Sequence, residues 1–136
     1  MQIETWEITD DYGKLLKVEN LFWTFENQVE MLGACHFIFE NGDVYHEVLT
    51  EFDEITSNSE LQDQFDVTKD VSAELPWSVA IGKSVLWIWK LTNQQGYHDA
   101  IQYSFSGPEA RDVILQLMVE ASQIRVLEPL GFEVRI

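Results

Sequence analysis

Three histidines, one cysteine and twenty-four carboxylates are the side chains of this 136-residue chain best equipped to ligate metals, attack electrophiles or carry protons. A zinc site needs three or four converging ligands, usually with closely spaced local pairs. Here His36 and His46 fall on opposite faces of a predicted hairpin, and His98 lies on a second one. That spacing makes no metal site, and His36 reads as half of a cross-strand pair with Glu47. Cys35 and His46 share the other face as diagonal neighbours, about 7–8 Å apart. A thiolate–imidazole dyad needs closer approach and a third group to orient the base. Reactive cysteines favour electropositive surroundings, and this hairpin is acidic, so Cys35 reads as a small core residue.

Ile81-Gly82-Lys83-Ser84 matches the end of a phosphate-binding loop, but Trp77 stands where that loop needs its first Gly. Ser84 also leads into a strand rather than a helix, so the segment reads as a turn. Asp10-Asp11-Tyr12-Gly13 and Asn41-Gly42-Asp43 are too short for a calcium loop, which spaces its oxygen ligands over about twelve residues. Paired carboxylates can hydrolyse glycosides, yet in so acidic a chain their proximity carries no information. A working acid needs burial to raise its pKa, and only Asp99 sits among strand residues expected to point inward. With Tyr97 and His98 it marks where a small enzyme or ligand pocket would form. Trp87 and Trp89 share a strand face, and core packing is the favoured reading over an open aromatic platform. No motif points to a cofactor.

Charge is the strongest compositional signal. Against the acids stand eight basic residues, for a formal net charge of −16. Such a field opposes nucleic acid, whose binding rests on Lys and Arg neutralising phosphates, and anionic membrane surfaces. It favours solubility, and the encounter with a basic partner. Twelve of the acids lie between Lys17 and Lys69, a stretch with no Lys or Arg. A single cysteine excludes an intrachain disulfide and fits a reducing compartment. The N-terminus lacks the basic-then-apolar pattern of a signal peptide, and the longest strongly apolar run, Val85 to Trp89, is far short of the roughly 20 residues of a membrane span. The expectation is a cytoplasmic protein.

The elements expected to position these residues are mainly strands, in one domain over 1–136. Leu15 to Phe25, Met31 to Glu40 and Asp43 to Phe52 are rich in β-branched and aromatic residues. Asn41-Gly42 between the last two is a strong hairpin signal. A two-residue loop there pairs Glu40 with Asp43, Phe39 with Val44, Phe37 with His46 and Cys35 with Val48. The last three pairs form an apolar face, while Glu40, Asp43, Ile38, His36, Tyr45, Glu47 and Leu49 lie on a mixed one. Asp53 to Leu75 reads as a long polar connection with a possible turn of helix at Glu60 to Phe65. Ser84 to Thr92 and His98 to Phe105 form a second hairpin around Gly96, with Trp89 facing Ile101, Trp87 facing Tyr103 and Val85 facing Phe105. Ser106-Gly107-Pro108-Glu109 has capping-box spacing. Ala110, Val113, Ile114, Leu117, Met118 and Ala121 then recur at helical spacing. Ile124 to Leu127 is a short strand, and Phe132 to Ile136 is long enough for one more. The predicted fold is α+β: an antiparallel sheet of five to six strands (β-β-β-loop-β-β-α-β) packed on one face by the C-terminal helix.

The expected function is that of a non-enzymatic protein-binding module engaging a basic partner through Glu40, Asp43, Glu47, Glu51, Asp53 and Glu54. In size and charge the chain resembles toxin-neutralising immunity proteins and nucleic-acid-mimicking inhibitors, and the resemblance goes no further. The alternatives are a small enzyme or ligand-binding domain with a pocket near Tyr97, His98 and Asp99, and a homo-oligomer joined through Ile38, Tyr45 and Leu49.

Overall fold

A computed structural model describes residues 2–26, 28–106 and 112–128. In these the chain is mostly antiparallel β, with a short helix near the N-terminus. In chain order the elements are α1 (Thr5–Asp11), β1 (Leu15–Thr24), β2 (Glu30–Phe39), β3 (Gly42–Leu49), β4 (Glu54–Asn58) and β5 (Val67–Asp70). After them come a single 3-10 turn (Trp77–Val79), β6 (Val85–Thr92), β7 (His98–Phe105), β8 (Val113–Glu120) and β9 (Gln123–Leu127). They make a first sheet in the order β4-β3-β2-β1-β5 and a second in the order β6-β7-β8-β9. One apolar core lies between the sheets: Val18, Phe37 and Val44 from the first meet Ile101, Tyr103, Phe105, Leu115 and Leu117 from the second.

The C-terminal helix expected over Ala110 to Ala121 is replaced by β8. Leu115 and Val119 explain the difference, because the helical stripe leaves them unplaced while a period of two puts them inside with Leu117. The β-branched residues Val113, Ile114 and Val119 add to the preference. Gly107 to Arg111, with most of the capping box, and the strand expected at Phe132 to Ile136 lie outside the described residues. The polar middle is not a plain loop either. It supplies β4 and β5, which pair with β3 and β1, and Glu60 to Phe65 forms no helix.

The β2–β3 hairpin forms with its faces as expected but its register displaced. The turn is Glu40-Asn41, so Phe39 faces Gly42, Phe37 faces Val44, Cys35 faces His46 and Ala34 faces Glu47. A displacement by two residues keeps every side chain on its face, whereas a displacement by one would exchange the faces. Phe37, Phe39, Cys35, Val44, His46 and Val48 are accordingly all buried. At Gly33 the β1–β2 pairing skips a residue, passing from Leu21↔Ala34 to Phe22↔Leu32. A Cβ there would stand 2.4 Å from Phe65 Cε1 and 2.8 Å from Trp23 Cζ3. Only a glycine admits that stacked pair, whose ring centroids lie 5.0 Å apart.

Candidate partner-binding surface

In the second hairpin a displacement of one residue decides the exposed surface. Val85 faces Phe105 as expected, but the register then shifts, and Trp87 faces Ser104, Ile88 faces Tyr103, Trp89 faces Gln102 and Lys90 faces Ile101. A bulge of this kind exchanges the faces of everything beyond it. Ile88 turns toward the core, while Trp87 and Trp89 turn outward, 63% and 41% exposed. The core packing expected for the two tryptophans is therefore overturned, and the platform arrangement is the one formed. Across the sheet, Trp87 continues through Ser104 to Ile114, and Trp89 through Gln102 and Gln116 to Leu127, rows without a charge.

Beside this strand lies α1, which has weak local reasons to be helical. Its β-branched Thr5, Ile8 and Thr9 have modest helix propensity, and Glu4 makes no side-chain capping bond. Ile8, fully buried, is the anchor that docks it. Trp6, on the same short helix, stays 58% exposed. Between helix and strand runs an open groove of about 500 Å³, lined by Trp6, Thr9 and Asp10 on one side and Val85, Leu86 and Trp87 on the other.

The acids of α1 and the tip of the β2–β3 hairpin form one field around Tyr12. Its ring lies edge-on to Phe39, at 5.7 Å between centroids, and a Cβ on Gly42 would meet it at 3.1 Å. Burial first, then the charges of Glu7, Asp43 and Asp11, hold the Tyr12 hydroxyl above the usual tyrosine pKa. Glu40 belongs to this end as well, accepting the Lys14 backbone N–H at 2.7 Å.

The acids singled out from the sequence do not share one patch. Asp43 accepts from His36 Nε2 at 2.6 Å, while Glu19 faces His36 Nδ1 at 3.2 Å and Tyr45 stacks on the ring. The cross-strand partner of Glu47 is thus Ala34 rather than His36. Glu51, Asp53 and Glu54 lie at the β3–β4 turn, the opposite end of β3 from Glu40 and Asp43. Asp53 ties that turn to the β8–β9 turn by accepting from the Ser122 N–H and hydroxyl, and Glu54 accepts the His98 N–H. Ile38 and Tyr45 are half-buried on the outer face of the first sheet, with Leu49 exposed.

Glu47 serves the fold. It is 1% exposed, and its two oxygens accept the backbone N–H groups of Gln62 and Asp63 at 2.8 and 2.9 Å. Desolvation raises its pKa against the lowering effect of those bonds. Replacing Glu47 by Ala orphans both donors and is expected to cost about 2 kcal/mol. Glu47→Gln, which keeps an acceptor, should cost less. Urea unfolding at neutral pH checks the order, and equal stability of all three proteins would show that the pair of bonds contributes nothing.

The remaining chemistry-bearing groups are structural in their contacts. Cys35 is fully buried, donates to Asn20 Oδ1 at 3.3 Å, and burial pushes its thiol far above the usual range. Buried His46 bridges the sheets, bonded through Nδ1 to Ser57 Oγ at 2.8 Å and through Nε2 to the Tyr103 hydroxyl. Tyr97 stacks on Phe52, His98 contacts Thr92, and Asn93 donates to Asp99. The cavity that His98 lines with Ser57, Lys90 and Gln2 holds about 40 Å³, room for water but not for a metabolite. Among the described residues no three His, Cys, Asp or Glu side chains cluster as metal ligands, and no helix is long and apolar enough to cross a membrane.

A family model described as a family of unknown function (DUF6334) matches residues 2–129. No curated protein and no solved structure matches the chain.

Proposed function

The chain belongs to the DUF6334 family, and from its surface we propose a non-enzymatic protein-binding module that engages a basic partner through the α1–β6 groove and its acidic rim. The observation that carries this reading is that Trp6 and Trp87, each more than half exposed, line one groove. Exposed tryptophans grouped with other apolar residues mark interaction surfaces, and Trp is the residue most enriched where binding energy concentrates. The rim of Glu7, Asp10 and Asp11, with Glu40 and Asp43 at the adjoining hairpin tip, supplies the charge that steers a cationic protein in. Neither Cys35 nor His46 supports a catalytic reading, because both are sealed in the core.

The test is capture from native lysate by immobilised wild-type protein and by Trp87→Ser. A basic protein retained at low salt, released at high salt and lost from the variant is the expected result. The absence of any specific partner, or one held equally by the variant, would remove the case for this surface.

A further inference from the structure

We propose that the groove between α1 and β6 seats an arginine side chain of the partner, stacked on tryptophan and paired with Asp10. This inference rests on the partner-binding reading above and names the chemistry that reading leaves open. The lining offers two indoles, the hydroxyls of Thr5 and Thr9, one carboxylate and aliphatic surface, with no Lys or Arg. Among the described residues neither Trp6 nor Trp87 stacks on another ring or carries a cation, and the Asp10 carboxylate makes no ion pair or hydrogen bond. The hollow beside β1 differs at its tryptophan and at one of its carboxylates. There Trp23 is already stacked on Phe65, and Asp66 accepts the Thr24 N–H at 2.8 Å.

An anionic guest would meet Asp10 and the chain's net negative field. A neutral apolar guest would cover Asp10 and leave it without a partner. A guanidinium satisfies both features, because it is planar, stacks on an aromatic face and forms a bidentate pair with a carboxylate. Lysine meets the charge requirement but not the planar one. The position of Asp10 in the last turn of α1 points the same way, since carboxylates at a helix C-terminus oppose its dipole and a cation there relieves the opposition.

The experiment titrates ¹⁵N-labelled protein with a short arginine-rich peptide and with matched lysine and citrulline peptides, following the indole N–H signals. The arginine peptide should move Trp6 and Trp87, bind more tightly than the lysine peptide, and leave buried Trp77 unmoved. The citrulline peptide should move none of them. Asp10→Asn should weaken the arginine peptide roughly tenfold. Unmoved Trp6 and Trp87 signals, an equal response to citrulline or lysine, or unchanged binding by Asp10→Asn would each overturn the assignment. If arginine fails while capture of a basic protein still depends on Trp87, the partner surface stands and its guest is not arginine.

Discussion

Acidification from pH 7 toward pH 4 should destabilise the wild-type protein relative to His46→Gln by several kcal/mol. The imidazole of His46 lies between Ser57 on β4 and Tyr103 on β7, so it joins the two sheets through two hydroxyls. Neutral imidazole suits that position, with one nitrogen donating and the other accepting. Protonation would put a cation in the core without a counter-charge. Burial, with the Lys90 charge adding to it, lowers the pKa of His46 to about 3. In the unfolded chain the residue titrates near the ordinary histidine value of about 6.5. Between these values the unfolded state holds a proton that the native state does not, so stability falls as pH falls, at about 1.4 kcal/mol per pH unit. Across the window the loss reaches roughly 4–5 kcal/mol, a large part of the 5–15 kcal/mol typical of a domain.

Two effects run the other way. Glu47, whose folded pKa is raised, is penalised as a carboxylate and relieved as pH drops through that value. Protonating the surface acids also relieves self-repulsion in a chain of net charge −16. Both are common to wild type and variant, which is why the difference isolates His46. Urea unfolding at several pH values measures it. Parallel profiles for the two proteins would show that His46 takes no part in acid sensitivity.

Where local pattern and tertiary packing agree, the sequence was enough. Leu15 to Thr24, both strands of the β2–β3 and β6–β7 hairpins, and Ile124 to Leu127 carry β-branched and aromatic residues between clear turn signals. The parity of the Asn41-Gly42 hairpin survived a two-residue displacement. Three departures have separate physical causes. Val113 to Val119 contains residues that satisfy both a helical stripe and a strand alternation, and the facing β7 strand resolves the ambiguity. The bulge between Val85 and Trp87 is a single-residue event without a glycine or proline to announce it, yet it turns two tryptophans outward. The helix α1 depends on docking Ile8, a contact that no local signal reports. The candidate surface combines the last two features. The net charge of the chain was therefore readable from composition, while the α1 acids beside the groove and its aromatic centre were not.

Phe37→Ala is expected to cost about 3–5 kcal/mol, against less than about 0.5 kcal/mol for Trp87→Ser. Phe37 is fully buried on β2, the central strand of the first sheet. Its ring centroid lies 4.9 Å from that of Tyr103, 5.0 Å from His46, 5.3 Å from Trp77 and 6.3 Å from Phe39. Truncation therefore opens a cavity bordered by both sheets and by the 3-10 turn, and removes several ring–ring contacts together. Trp87 projects from an edge strand into an open groove, so its loss leaves the core untouched. Guanidinium unfolding compares the two variants, with the amides of β2 and the amides of β7 followed in the same titration. Because Phe37 and Tyr103 belong to one core, both probes should shift to lower denaturant together in Phe37→Ala. A first-sheet transition that moves while the β7 amides hold their wild-type midpoint would mean that the sheets fold around separate cores, and that the groove beside β6 stands on a platform independent of β2.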